Sequence, residues 1–506
     1  MNDEYMEKAH SEQPTTSSLP PQVPGSGKGD ILKTNLIFGS AQVVQMVVTI
    51  VRAKLIAVFL SSTGMGLNAM LQSVLLTVNN VSSCGIMQSG VREIARARGQ
   101  ADEALLAGTL GVFRRLLVLA GMAGLLLCGL LAYPLSLFSF GDAAYVGTFV
   151  LLGLGVMFYT LMHGEMTVLQ GTRSVVPLAK GTIVGATAGL LACIPCYCLL
   201  GNAGVVWAIV IGYLLNWVVY RRQVRLRRFP VCRMTIKAAL VQGRPILLLG
   251  AVLMVGTFLV SFFTYLTNVC LRMLGSLDDV GFYQGAASIT TQSILVVTSV
   301  LASDFFPRLA ALTDRPAEHN GLVNNQLELV VLVVTPIAAV VICFADWVVR
   351  LLLTTEFLVI SPMLQAMAFA LLFRGVWVTM SYVILAHGDR RAYLLFDGLV
   401  GNGLNFFLNV LAYWQFGLTG IGVAFVVSSV LVSLLLSGVA VRSYGFRVSR
   451  GVWAIGGVAV GLLLATYAAQ DAGRGWGIVV CALTVGWTLV LLEKRFGLLK
   501  LLHIKH

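Results

Sequence analysis

Apolar stretches long enough to cross the hydrocarbon core of a bilayer, about 30 Å thick, recur along this chain with only short breaks. They fall at about 34–59, 67–90, 105–132, 144–169, 177–200, 203–220, 245–270, 281–305, 327–353, 360–386, 393–414, 419–441, 451–469 and 476–492, a pattern that predicts fourteen helices. Helices follow from the lengths, because a transmembrane β-strand needs only about ten residues and alternates polar with apolar. Charged residues are 11% of the 506 positions and apolar ones 58%, whereas a soluble domain carries about 25% charge. The expected fold class is therefore all-α and integral to the membrane.

One stretch, Tyr220 to Pro245, holds eight Lys/Arg and no acidic residue. A nucleic-acid-binding patch would need a globular domain around it, and the apolar neighbours leave no room for one. Between apolar twenty-mers such a cluster belongs on the cytoplasmic face, where positive loops are retained. With the N-terminus inside, 29 of the 35 Lys/Arg fall on the inner side. Only Arg272, Arg350 and Arg474 fall outside, and Arg52, Lys54 and Arg374 lie within predicted helices. Both termini are thus expected in the cytoplasm. Residues 1–30 (PTTSSLPPQVPGSGKG within them) carry too little apolar surface to bury a core and read as a disordered tail. They lack the charged-then-apolar order of a cleaved signal peptide. Cys193, Cys196 and Cys198, in ACIPCYCLL, have no second ligand cluster and read as thiols buried in the membrane rather than as a metal site. No metal or cofactor is expected.

The chain repeats itself. The segment from Gly66 aligns with that from Gly281, GTRSVVPLAKG from Gly171 with GDRRAYLLFDG from Gly388, and GNAGVVWA from Gly201 with GLTGIGVA from Gly417. The offsets are 215, 217 and 216. A six-helix unit repeated in the same orientation puts a pseudo-two-fold axis along the membrane normal, with a central cavity between the halves. The boundaries expected are a tail at 1–30, a six-helix lobe at 31–220, a basic linker at 221–244, a second lobe at 245–442, and two added helices with a tail at 443–506.

With 6 + 6 + 2 helices, AKLIAVFLSSTGMGLNAMLQ at the first hairpin, DDVGFYQGAASI at its counterpart and FPRLAAL in a cytoplasmic loop, the chain resembles a known family. That family is the polysaccharide-transporter branch of the multidrug/oligosaccharidyl-lipid/polysaccharide exporter superfamily, with the Wzx-type O-antigen flippases as the nearest likeness. The resemblance spans about residues 31–492. It implies a V-shaped cavity that moves an undecaprenyl-diphosphate-linked oligosaccharide across the bacterial inner membrane by alternating access, in lipopolysaccharide or related glycan synthesis. The partners it implies are the lipid-linked oligosaccharide, membrane lipids and the glycan polymerase or assembly machinery, with no nucleic acid.

A charge inside the membrane is a functional candidate by default. Arg374 in AFALLFRGVWVTM lies midway along its helix, and Arg offers bidentate contacts to a diphosphate. Arg52 and Lys54 lie near the outer end of helix 1, where snorkelling to the interface is feasible. Of the acids, Glu165, Asp304 and Asp397 are possible coupling sites, or partners for Arg173, Arg308 and Arg390; His163 beside Glu165 is a possible proton site. Asp346 and Arg350 are spaced as an i,i+4 pair. Asn68, Gln72, Asn79 and Ser83 fall on one face of helix 2, and Gln284, Ser288, Thr291 and Thr298 make a similar stripe on helix 8. Both stripes fit a lining that meets sugar hydroxyls, or contacts that bind helix to helix.

Two rival classes set limits. A membrane glycosyltransferase or glycan polymerase needs catalytic residues in a sizeable outer loop, and no outer loop here exceeds about a dozen residues. There is no Gly-Lys-Ser/Thr phosphate loop, so a non-enzymatic transporter is expected. The nearer rival is a cation-coupled drug exporter, which favours an embedded acid and an apolar-aromatic pocket over a central Arg.

Overall fold

The computed structural model describes residues 28–100, 102–230, 232, 234–300, 305–471 and 473–497; the N-terminal tail and Asp304 lie outside them. Among the described residues every regular element is helical. The first half holds α1 (Lys28–Ser83), α2 (Ile86–Gly99), α3 (Glu103–Leu130), α4 (Ala132–Phe140), α5 (Val146–Gly171), α6 (Val175–Leu200) and α7 (Gly204–Leu226). After the basic stretch come α8 (Ile236–Gln242), α9 (Arg244–Leu274), α10 (Leu277–Val300), α11 (Phe306–Ala310), α12 (Pro316–Cys343), α13 (Ala345–Leu352), α14 (Ser361–Ala386), α15 (Arg390–Ala392) and α16 (Asn402–Tyr444). A π-helical stretch, Tyr393–Gly401, joins α15 to α16, and α17 (Arg450–Asp471) and α18 (Arg474–Phe496) end the bundle.

Helices are the only open-ended solution here, because in lipid every backbone N–H and C=O must be satisfied within the segment. The ends are marked in the sequence. Asp102 caps α3, its Oδ1 accepting from Ala104 N at 2.9 Å and Leu105 N at 3.1 Å. Pro245, Pro316 and Pro362 stand in the first turns of α9, α12 and α14, where the missing N–H costs nothing. Among the described residues ten stretches are long and apolar enough to cross a membrane. Three of these, of 45, 52 and 55 residues, exceed a single crossing and are each interrupted. The breaks fall at Ser61 (φ 60°, ψ −163°), at Gly201 (φ 53°, ψ −135°) and at Gly417 (φ 64°, ψ −150°). Gly201 and Gly417 are repeat partners, and the same left-handed turn occurs at both.

Within the first half α6 and α5 pack on α7, and within the second α14 packs on α12 and α16. The halves meet where α1 lies against α9 and α10. Around the breaks the contact is reciprocal: a methyl added at Gly66 would lie 2.0 Å from Leu277 O, and one at Gly281 would lie 2.0 Å from Ser62 O. Gly66 and Gly281, like Ser62 and Leu277, are 215 residues apart. The pseudo-two-fold axis therefore passes between these helix ends. Large apolar side chains such as Leu126, Leu130, Leu199 and Trp414 stay exposed on the outer faces, where lipid replaces water as their surroundings.

The last two helices attach to one side only. Ile455, Ala459 and Leu492 bury against Val331, Leu332 and Leu372 of α12 and α14. In the same seam Arg495 Nη1 donates to Glu328 Oε2 at 2.8 Å, and Glu328 is 5% exposed.

Candidate functional site

A cavity of about 550 Å³ lies between the halves, bounded by α1 beyond Ser61, α2, α5 and α9. Its lining includes Asn79, Asn80, Ser83, Gln88, Gln170 and Thr264. Thr160 Oγ1 donates to Asn79 Oδ1 at 2.8 Å. Asn80 Nδ2 crosses to α9, donating to Ser261 Oγ at 2.9 Å and Thr257 O at 3.2 Å. Tyr159 and His163 face one another in the wall with ring centroids 4.3 Å apart. The polar side chains from α9, Thr257, Ser261 and Thr264, recur at helical spacing in an otherwise apolar helix and so share one face. That stripe was the available signal for this wall.

At the other end the halves are bonded shut. Ser62 N donates to Glu356 Oε1 at 3.2 Å, and Ser62 Oγ lies 3.0 Å from Asp278 Oδ1. Thr63 Oγ1 also donates to Asp278, and Lys54 Nζ to the carbonyl of Leu351. Nearby, Ser139 Oγ and Tyr265 OH are 2.8 Å apart. Every one of these links joins the first half to the second.

The residues singled out by sequence disperse over several environments. Arg52 sits beside Tyr197 and Tyr213 of the first half, its Nε and Nη2 buried and without a hydrogen bond among the described residues. Gln72 Oε1 accepts from Tyr213 OH at 3.1 Å, and Asn68 Oδ1 is buried without a hydrogen bond among the described residues. Asn79 and Ser83 line the cavity. Ser288 faces a separate space of about 140 Å³ between α1 and α10, with Thr49 and Gln292. Gln284 is half-buried and Thr291 exposed, and the side chain of Thr298 is outside the described residues. One face of a helix is thus one azimuth but many depths. Asn68 and Ser83 are about 22 Å apart along the axis, and different neighbours meet them.

Arg374 lies inside the second half, its Cζ 4.0 Å from the Trp377 ring centroid and 5.9 Å from that of Phe425. Trp377 Nε1 in turn donates to Asp397, which also accepts from Ser381 Oγ at 2.7 Å. Asp397 is therefore tied to α14 instead of to Arg390. Glu165, buried, pairs with Arg221 and lies 4.0 Å from Arg114, in place of the expected Arg173. Asp346 and Arg350 form no ion pair among the described residues; they border a cavity of about 370 Å³ with Gln365 and Gln470.

A family model described as "Polysaccharide biosynthesis protein" matches residues 55–362. The chain belongs to this family. No curated protein matches it significantly. Among solved structures it is similar to the lipid II flippase MurJ in an inward closed conformation, with a TM-score of 0.66 and 15% identity over 91% of this chain and 99% of that one. An inward-facing multidrug-resistance MATE transporter of the MOP superfamily gives a TM-score of 0.65 and 13% identity, covering 83% and 95%. A MOP-superfamily transporter from Pyrococcus furiosus gives 0.58 and 12%, covering 86% and 96%. The family member described here thus has the helical fold of membrane transporters and flippases, and its fold neighbours are transporters rather than enzymes.

Proposed function

We propose that the protein is a flippase that moves a polyprenyl-diphosphate-linked oligosaccharide from the inner to the outer leaflet of the bacterial inner membrane. The observation that carries this reading is the pairing of an amide- and hydroxyl-lined cavity between the halves with a bonded seal at the opposite end. A glycan headgroup needs many hydrogen bonds at once, and amides supply donor and acceptor from one side chain. A cavity open toward one face and sealed toward the other is one of the two states that alternating access requires. The basic end, with the Tyr220–Pro245 stretch, faces the cytoplasm in this reading. Arg52 and Arg374, each within a lobe, are the cations available to follow the diphosphate as the lobes move. The lobes follow the boundaries 31–220 and 245–442.

The test is a deletion strain examined by unbiased mass spectrometry of its lipids. Accumulation of an undecaprenyl-diphosphate glycan, cleared when the gene is restored, is the expected result. A normal lipid profile together with new sensitivity to cationic drugs would replace the flippase with a drug exporter.

A further inference from the structure

No Asp, Glu, Lys or Arg is among the described residues lining the 550 Å³ cavity. The three cations placed within helices lie away from this lining: Arg52 beside Tyr197 and Tyr213, Lys54 on the Leu351 carbonyl, and Arg374 over the Trp377 indole. The described lining has one basic ring, His163, and is otherwise neutral. The side-chain amides of Gln88 and Gln170, on α2 and α5, make no hydrogen bond among the described residues, and Gln88 is exposed. Each amide offers two donors and an acceptor, which matches a sugar hydroxyl that both gives and accepts. The Tyr159 ring adds an apolar surface against which the C–H face of a sugar can lie.

A carboxylate brought against these walls would give up hydration for a described lining that holds no Lys or Arg, and a charge moved out of water without a partner is disfavoured. A neutral hydroxyl or acetamido group can exchange hydrogen bonds to water for bonds to the Gln88 and Gln170 amides. Cavities of about 300–1,000 Å³ enclose ligands the size of drugs, so a short oligosaccharide fits the space between the halves.

We propose that this cavity selects uncharged sugars, namely hexoses, deoxyhexoses and N-acetylated amino sugars, and rejects glycan units that carry a sugar acid. The selection rests on the flippase reading and specifies its cargo. The diphosphate is handled outside this cavity, so its charge does not enter the selection.

The experiment uses the full chain in lipid nanodiscs and two synthetic polyprenyl-diphosphate disaccharides. They are identical except that one has a glucose where the other has a glucuronic acid, and binding is read by native mass spectrometry. The neutral lipid is expected to bind tighter by about tenfold or more. Gln88→Arg, at an exposed position, is expected to shrink or reverse that ratio, with folding checked by the melting temperature. Equal or tighter binding of the acidic lipid by the natural chain overturns the selection and leaves the flippase reading standing. So does a ratio that Gln88→Arg does not move. Binding of neither lipid overturns both.

Discussion

Gly66 and Gly281 offer the most direct handle on the conformational cycle. A methyl at either would sit 2.0 Å from a backbone carbonyl of the other half, where real contacts essentially never fall below 3.0 Å. The helix ends must therefore separate by about 1 Å to admit an alanine, since the obstacle is backbone and has no rotamer to change. Overpacking of this kind costs about 1–3 kcal/mol. Only the conformation with this end sealed bears the cost, so a state with it open gains by the difference, a factor of about 5–150 in population. The two substitutions are relieved by the same separation, so Gly66→Ala with Gly281→Ala should cost less than the two penalties added. Spin labels at Tyr133 and Trp347, 58% and 64% exposed, in a cysteine-free background, report the distance across that end by pulsed electron resonance. The long-distance population should rise in each single variant and rise less than multiplicatively in the double. Unchanged distance distributions in folded protein, or strict additivity, would refute the reciprocal contact.

Cysteines placed at Asp142 and Asp471 should react with an impermeant thiol reagent added to intact cells and one at Arg227 should not; labelling at Arg227 reverses the orientation. Arg374→Lys should keep part of the transport and Arg374→Ala lose most of it at normal expression, measured as surface glycan; normal transport in Arg374→Ala would move the diphosphate site elsewhere. Arg52→Ala combined with Lys54→Ala should lower export without changing membrane abundance, and loss of the protein on a membrane immunoblot would make them anchors only. Arg495→Ala should lower stability by about 1.5–3 kcal/mol, the scale of a hydrogen bond to a charged group, with the lower end favoured because Arg495 is half exposed. Adding Glu328→Gln should recover part of the melting temperature, and no recovery would deny the pair its role.

How far the sequence reaches depends on what sets each feature. The helices follow from local composition, and the turn at Gly201 and Gly417 is marked by a glycine in both repeats, because only a residue without Cβ adopts that backbone freely. The gap between the stretches ending at 59 and starting at 67 placed a break here too, but the positive φ falls on Ser61 and not on Gly64 or Gly66. The cavity was half legible. Asn79 and Ser83 lie on it, but Gln72 shares their azimuth and meets Tyr213 inside the first half, and Asn68 is not in the lining. The α5 and α9 walls depend on pairings such as Asn80 with Ser261, 181 positions apart, which periodicity within one helix does not reveal. For Arg374 the embedded charge was plain and its surroundings were not. Trp377 stands one turn on, close enough to be guessed, whereas Phe425 and Asp397 come from segments brought in by the fold.

The seam between α12 and the last two helices carries a historical consequence. An appendage held by Leu492, Ile455 and Val331 alone could be shed, since lipid would cover the uncovered face at little cost. Glu328 changes that. Once its carboxylate had settled beneath Arg495, losing the added pair would leave that anion without its partner at the end of the apolar stretch. The two helices that the internal repeat does not need are thereby held by charge as well as by apolar contact, so removing them calls for a change at the acid on α12 too.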